Sequence, residues 1–562
     1  DARAYVQKDT TSITIKNKVV DVSLQSNKSP QKISEALKRH IASYFYRDTK
    51  VSDSITNPVN LKVRGNISEA PVLSEVFFVN VKDLDTINIA VDFNEKQRQL
   101  KANITAPHIN YSGMELDSLA FSMDTDTDKF VFDLAFNAIE VGPFNIPKTT
   151  ISGRQSNNEL ALNFSAQHKN AQMIYADVNI SGNRERLKLH VLPEQLTLNK
   201  NTWSIPIDNE VILTENKLAF NKFKINKNAQ SIEITDALQS VEKEHIAIRY
   251  NNFKVSEVLN YLNPKSNLAT GVLNGDFILE EPFKNTGVLA DLDITQLNVM
   301  DVDLGVLSVD AKALGANNYD INASLKEGEI DLNLKGDYVA KNTEAALDLS
   351  LDINRFNMEA LTGFSQGEIR ETAGGFSGNF KLNGTTKAPK YQGQLNFDNA
   401  NFKLAMFNAA FSLKNETLKI NNDEVSMNDF TIRDENQNAF IVSGNIGTES
   451  LVNPTFNLEV EANNFQFLNA KKEDNDFLYG KATLDASAKI TGDLQIPKID
   501  VTATMGKNTN VTYVLPSATV NVEERDGIVV FVNRQNPNAI LTRSKEKTAT
   551  IKGYDITALF KI

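Results

Sequence analysis

At 347–354 the chain reads Leu347-Asp348-Leu349-Ser350-Leu351-Asp352-Ile353-Asn354, with a branched aliphatic at every odd position and a polar residue at every even one. Successive side chains of an extended backbone point to opposite faces, so this pattern buries one face and wets the other only as a β-strand. It recurs. Phe130, Phe132, Leu134 and Phe136 alternate with Val131, Asp133 and Ala135; Ile330, Leu332 and Leu334 alternate with Asp331 and Asn333; Phe456, Leu458, Val460 and Ala462 alternate with Asn457, Glu459 and Glu461. Strands buried on both faces would be apolar throughout, so these belong to antiparallel sheet with one face withdrawn from water. Clusters of Asn, Gly, Asp and Lys separate them at roughly the 8 to 12 residue spacing of an all-β array.

Helix is scarce. Ser29-Pro30 supplies an N-cap and an N1 proline, and Ile33, Leu37, Ile41 and Phe45 then fall on one face, which predicts one amphipathic helix from about 30 to 47. Shorter helices are expected after Phe253, where Val255, Val258, Leu259 and Leu262 precede the stop at Asn263-Pro264, and after Phe356, from Met358 to Leu361. These belong to a repeat. Asn251-Asn252-Phe253, Asn354-Arg355-Phe356 and Asn463-Asn464-Phe465 lie 103 and then 109 residues apart. Gly275-Asp276-Phe277-Ile278-Leu279 matches Gly378-Asn379-Phe380-Lys381-Leu382 at the first offset, and Pro389-Lys390 matches Pro497-Lys498 at an offset of 108. Repeats of this length, each several strands and a helical turn, stack into one continuous sheet instead of adding globules.

Composition excludes several functions. With 59 Lys and Arg against 71 Asp and Glu, a net charge of -12 and no basic stretch, nucleic acid is not an expected partner. The chain has no cysteine, hence no disulfide framework and no thiolate metal site. No run approaches the roughly 20 apolar residues of a membrane-spanning helix, and Asp1-Ala2-Arg3-Ala4 opens without a signal-peptide core, so the sequence reads as a fragment or a processed product. Tyr554 to Ile562 reads as a strand with no turn residue after it.

No catalytic constellation is visible. His40, His108, His168, His190 and His245 are scattered, without the spacing of a metal site. Asp124-Thr125-Asp126-Thr127-Asp128 imitates the start of a calcium loop, but Lys129 stands where the loop needs Gly and Ala135 where it needs Glu, so a solvated acidic turn is expected. Ala373-Gly374-Gly375-Phe376-Ser377-Gly378 lacks the Lys-Ser/Thr ending of a phosphate cradle, and its glycines read as turns and close backbone approach. Trp203 reads as sheet packing. No cofactor and no enzyme activity are expected.

What occupies so long an apolar face decides the function. A second sheet covers it in a sandwich, and the opposite wall covers it in a solenoid. The third arrangement is a trough whose interior is partly open and filled by acyl chains, each CH₂ withdrawn from water contributing roughly 0.8 kcal/mol. Phe130, Phe132, Leu134, Phe136, Ile330, Leu332, Leu334, Leu347, Leu349, Leu351, Ile353, Phe456, Leu458 and Val460 are then the lining. A transmembrane barrel shares the alternation with its apolar side outward, but one tryptophan, no aromatic girdles and a repeat too long for a hairpin count against it.

Further features resemble a known family. Leu349-Ser350-Leu351-Asp352-Ile353-Asn354-Arg355-Phe356, then Met358 to Leu361, Gly375 to Gly384, Pro389 and Gly393 to Phe397, and likewise Phe477 to Ala482 leading into Ile490-Thr491-Gly492 and Pro497, look like the TamB branch of the AsmA-like proteins, in Bacteroidota style. The resemblance is best from about Trp203 onward. It implies an elongated U-shaped antiparallel groove (a β-taco) that spans the periplasm between inner and outer membranes of a Gram-negative bacterium and carries phospholipid. It also implies a link to outer-membrane protein assembly, through a C-terminal domain that meets an Omp85-family barrel, and an inner-membrane anchor helix. Neither anchor nor C-terminal domain is recognised within the chain. About 40 to 45 strands at roughly 4.8 Å each give a sheet on the order of 200 Å long. The segments expected are a lead at 1–52 carrying the helix, a β-groove region at 53–250, and repeat units at 251–353, 354–462 and 463–562. The alternative to a conduit is an assembly platform whose exposed sheet edges bind client strands or a barrel.

Overall fold

The computed structural model describes residues 2–7, 9–45, 57–69, 81–156, 159–183, 185–341, 344–449, 453–494, 496–514 and 555–561. Strand makes up 68% and helix 6%, so the chain is all-β as its alternation predicts. Among the described residues are 41 strands and three helices: α1 (Pro30–Phe45), α2 (Ser256–Leu262) and α3 (Glu359–Phe364). The sheets are long, antiparallel and not closed into a barrel, which removes the transmembrane-barrel reading. Among the described residues one pairing is parallel, between Pro497–Met505 and Asp555–Lys561.

The sheet is not one continuous object. Strands from Ala2–Gln7 to Lys217–Asn221 form one sheet and those from Phe223–Lys227 onward a second. The break falls at Lys222, whose left-handed backbone (φ 46°) turns the chain away from the preceding strand. Asn226 instead pairs with Ser204 in an isolated bridge, and the irregular segment behind Ser204 is held by the buried Asn209, whose side chain bonds the amide and carbonyl of Val191. The chain forms two compact units, one comprising 1–328, 333–347 and 385–387, the other 329–332, 348–384 and 388–562.

α1 ends at Phe45 within the described residues, positions 46 and 47 of the expected helix lying outside them. Its buried face is Ile33, Ala36, His40 and Tyr44, with Leu37 and Ile41 half-buried beside it. Two polar residues therefore sit where the apolar spacing alone pointed to Leu37 and Ile41. α2 and α3 follow Phe253 and Phe356 as expected. The third landmark, Phe465, is not followed by a helix: Thr455–Ala470 continues as strand, because Leu468 and Ala470 pair with Ala482 and Gly480 and are buried there.

The landmarks around Asn252 and Asn464 are β-bulges, and the same irregularity recurs at two other points of the sheet. At Tyr250/Phe253, Ile294/Leu297, Met427/Phe430 and Ala462/Phe465 the register slips, and apolar residues three apart share a face. The residue before each second member is polar and left-handed: Asn252 (φ 47°), Gln296 (52°), Asp429 (51°) and Asn464 (45°). A bulge inserts one residue, bends the strand and restarts the alternation in phase. The freed amide is recaptured by a side chain of the neighbouring strand: Asn252 by Asn274 Oδ1 (2.7 Å), Asp429 by Ser443 Oγ (3.2 Å) and Asn464 by Asp485 Oδ1 (2.6 Å). A β-branched residue resists this conformation, so Asn464→Val should lose about 1–2 kcal/mol in urea unfolding while Asn464→Gly stays close to the parent.

Candidate functional site

In the first unit the inward-pointing residues form straight rows across the strands, because the register is unbroken from strand to strand. One row is Leu61, Phe93, Leu100, Thr125, Phe130, Gln155, Leu160 and Ile180, each the cross-strand partner of the next. The next is Val63, Val91, Ala102, Met123, Phe132, Gly153, Leu162 and Val178. Gly153 makes room for Phe132, since a Cβ there would lie 2.1 Å from the ring. A third row, Ile89, Ile104, Phe121, Leu134, Ile151, Phe164 and Ala176, contains no polar side chain, and all seven residues are half-buried. With strands about 4.8 Å apart, it is an apolar track on the order of 30 Å long.

α1 lies over the first row. Ile33 and Ala36 pack with Val59, Leu61, Phe93 and Leu100, and Tyr44 packs with Phe130 and Leu160. Polar contacts fix it: Arg39 to Glu95 (2.7 Å), His40 Nε2 with Thr125 Oγ1 (2.8 Å), the Tyr44 hydroxyl to the Asp126 carbonyl, and Gln155 Nε2 to the Tyr44 carbonyl. Burial and the nearby Arg98 guanidinium push the His40 imidazole down to about 4, against the opposing pull of Glu95, so it is neutral at pH 7. At the far end of the same strands α2 closes in: the Tyr261 ring lies edge-on to Phe164 (6.0 Å) and its hydroxyl meets Thr149 Oγ1 (3.1 Å).

In the second unit a row runs Phe380, Gly393, Ile420, Val425, Ile446, Phe456, Gly492 and Pro497. Leu458 and Val460 occupy the two rows beside it, with Ile490, Ile499, Val442, Ala488 and Val501. Phenylalanines gather along the same face. Phe356 stacks on Phe376 (4.4 Å), which meets Phe397 (5.2 Å), which meets Phe430 (6.0 Å). Phe411 stacks on Phe465 (5.5 Å) although two strands separate theirs in the pairing order, so the sheet curls until its apolar face meets itself.

Of the fourteen expected lining residues, Phe130, Ile330, Leu349, Leu458 and Val460 are buried and the other nine are half-buried. Phe130 is covered by Tyr44, whereas Leu134 lies in the polar-free row. The strands' register brings Phe130, Phe132, Leu134 and Phe136 into one stretch of face and Phe456, Leu458 and Val460 into another. Ile330, Leu332 and Leu334 alternate along Ile330–Ala340, and Leu347, Leu349, Leu351 and Ile353 along Ala345–Asn357. Sequence reasoning left the Phe356–Phe376–Phe397 ladder off the lining. Its signal is the spacing of 20 and 21 residues between successive phenylalanines.

Among the described residues, no group of three or more His, Asp or Glu side chains is arranged to hold a metal. Asp126 caps the acidic turn by accepting the amides of Asp128 (2.9 Å) and Lys129 (2.8 Å). Trp203 is buried with Leu196, Ile205 and Phe253. In the glycine-rich stretch, Gly375 lies so near the Phe356 carbonyl that a Cβ would come within 2.5 Å of it.

Residues 427–561 match the model of the TamB C-terminal domain. No curated protein and no solved structure matches the chain. The match begins inside the segment expected to be the second repeat unit and runs to the last described strand. C-terminal domain sequence therefore lies within the chain, where sequence reasoning recognised none.

Proposed function

We propose that this chain, a TamB-like protein, is a lipid conduit of the Gram-negative envelope that moves phospholipid between inner and outer membrane along its apolar face. The observation that carries the proposal is the row of seven half-buried apolar residues from Ile89 to Ala176, which crosses seven strands without a polar side chain. Acyl chains that must slide need a lining that offers area and no fixed hydrogen bonds. Each CH₂ entering such a lining is stabilised by roughly 0.8 kcal/mol wherever along the row it sits. A TamB C-terminal domain goes with outer-membrane protein assembly and translocation and with an envelope location. TamB proteins form a non-enzymatic assembly or transport family working with outer-membrane machinery, which for this chain we read as an Omp85-family barrel met through the C-terminal region.

A second reading, an assembly platform, draws on the strand Ala2–Gln7, which is exposed along its length and paired with Thr10–Lys16 alone among the described residues. An exposed strand can add a client strand by backbone pairing.

Mass spectrometry of lipids extracted from the purified chain separates the two, since a platform has no reason to copurify phospholipid and a conduit must. For the conduit, a carboxylate at the half-buried Leu134 or Leu351 puts a charge in the path. Leu134→Glu and Leu351→Glu are each expected to slow phospholipid transfer between vesicles by about tenfold or more, a barrier of at least about 1.4 kcal/mol. The far-UV circular dichroism should stay that of the parent. Unfolding instead would mean that the face is a closed core.

A further inference from the structure

We propose that α1 is a resident occupant of the trough, holding the place that an acyl chain takes elsewhere, and that lipid loading of the first unit displaces it; the inference rests on the conduit reading. The connection does not need the helix. Val20–Ser26 and Asn60–Ile67 pair directly, Ser26 opposite Leu61, so a short hairpin turn could join them, yet the chain makes an excursion from 27 to 59 that carries α1.

The row beneath α1 is built for a helix and not for lipid. Its two polar members, Thr125 and Gln155, are buried, and both bond to α1, Thr125 to His40 Nε2 and Gln155 to the Tyr44 carbonyl. The second row, also free of polar side chains, joins the α1 clusters through Val63, Val91, Met123, Phe132 and Leu162, whereas the third row, from Ile89 to Ala176, contributes no residue to them. Apolar lining and helix seat are therefore distinguished residue by residue on one sheet.

The seat is also loose enough to leave. Gln155 Oε1 is buried without a hydrogen-bond partner among the described residues, which weakens the hold because an unmet acceptor keeps its desolvation cost. Arg39 is more than half exposed, and Glu95 keeps the Val59 amide (2.8 Å) when Arg39 departs. Gln31, Glu35, Lys38 and Arg39 face water, so the released helix is amphipathic and can lie at a lipid surface.

The test uses the full chain and palmitoyl-oleoyl phosphatidylglycerol. Hydrogen exchange followed by mass spectrometry should show amides 33–45 exchanging at least tenfold faster once lipid is loaded, while the strands carrying Phe93, Leu100 and Phe130 keep their protection. Ala36→Glu puts a charge under the helix at a fully buried position without touching the sheet. Native mass spectrometry should then find at least one more phospholipid per chain than in the parent. The inference is overturned if α1 exchanges unchanged in the loaded parent, or if Ala36→Glu frees the helix and gains no lipid. Lipid bound by neither form overturns the conduit reading and this inference together, whereas lipid bound by the parent with α1 unmoved overturns this inference alone. Should Ala36→Glu fail to fold, the exchange comparison on the parent decides by itself.

Discussion

Gly275→Ala is expected to destabilise the first compact unit by about 3 kcal/mol or more. Gly275 lies in the middle of the strand Ala269–Glu280, between Tyr250 on one neighbour and Leu292 on the other. Its φ of 110° is disfavoured for any residue with a Cβ, and a Cβ there would stand 1.8 Å from the Asp291 carbonyl oxygen. That oxygen is backbone, so relief requires moving two strands apart and not merely turning a side chain. Gly444 and Gly480 stand in the same situation, at φ 119° and 126° and within 2.1 and 2.0 Å of opposing carbonyls. Gly315 is the control: nothing lies within 4 Å of its added Cβ. In urea unfolding Gly315→Ala should stay within about 0.5 kcal/mol of the parent. A Gly275→Ala midpoint equal to that of the control would show that the strand crossing relaxes freely, contrary to the close approach described above.

Acid should undock α1 between about pH 6.5 and pH 4. The groups facing His40 are the Thr125 hydroxyl, the rings of Phe93 (5.2 Å) and Tyr44 (5.3 Å), and the charges of Glu95 and Arg98. Burial first, and Arg98 second, hold the imidazole at about 4, below the ordinary 6.5. The free helix therefore takes up a proton over this interval while the docked one does not. The docked state keeps its full stability above about 6.5, loses it progressively as pH falls, and by about pH 4 has lost about 3 kcal/mol. Because α1 can leave without breaking the sheet, the loss should appear first as faster exchange of amides 33–45, corrected for intrinsic rate, ahead of any change in strand amides. His40→Gln retains a partner for Thr125 and has no proton to gain, so its α1 protection should be flat over the same range. An equally steep profile in that variant would move the acid sensitivity elsewhere.

Much of this architecture is legible in the chain because period two is a local property. Whether Leu458 and Glu459 point apart follows from two adjacent residues, and the same holds for the turns between strands. The short helices after Phe253 and Phe356 carry their own spacing and stop signals. The left-handed asparagines were visible as landmarks, and an apolar pair three apart across Asn-Asn is the trace a bulge leaves. What failed to show were outcomes decided by distant partners. The third landmark keeps its strand because Ala482 and Gly480 wait opposite, and after the left-handed Lys222 the next strand meets Ser204 only through an isolated bridge.

The opening alternation therefore determined by itself that one face of these sheets is apolar and where along the chain that face recurs. It could not determine what lies against the face, since alternation constrains the direction of a side chain and not its neighbour. Only the tertiary structure placed His40 on Thr125 and Tyr44 on Phe130, separating a helix seat from the apolar row that crosses the same strand four residues away at Leu134. Register across strands and burial under a helix are sums over residues far apart in sequence, and they exist only once the chain is folded.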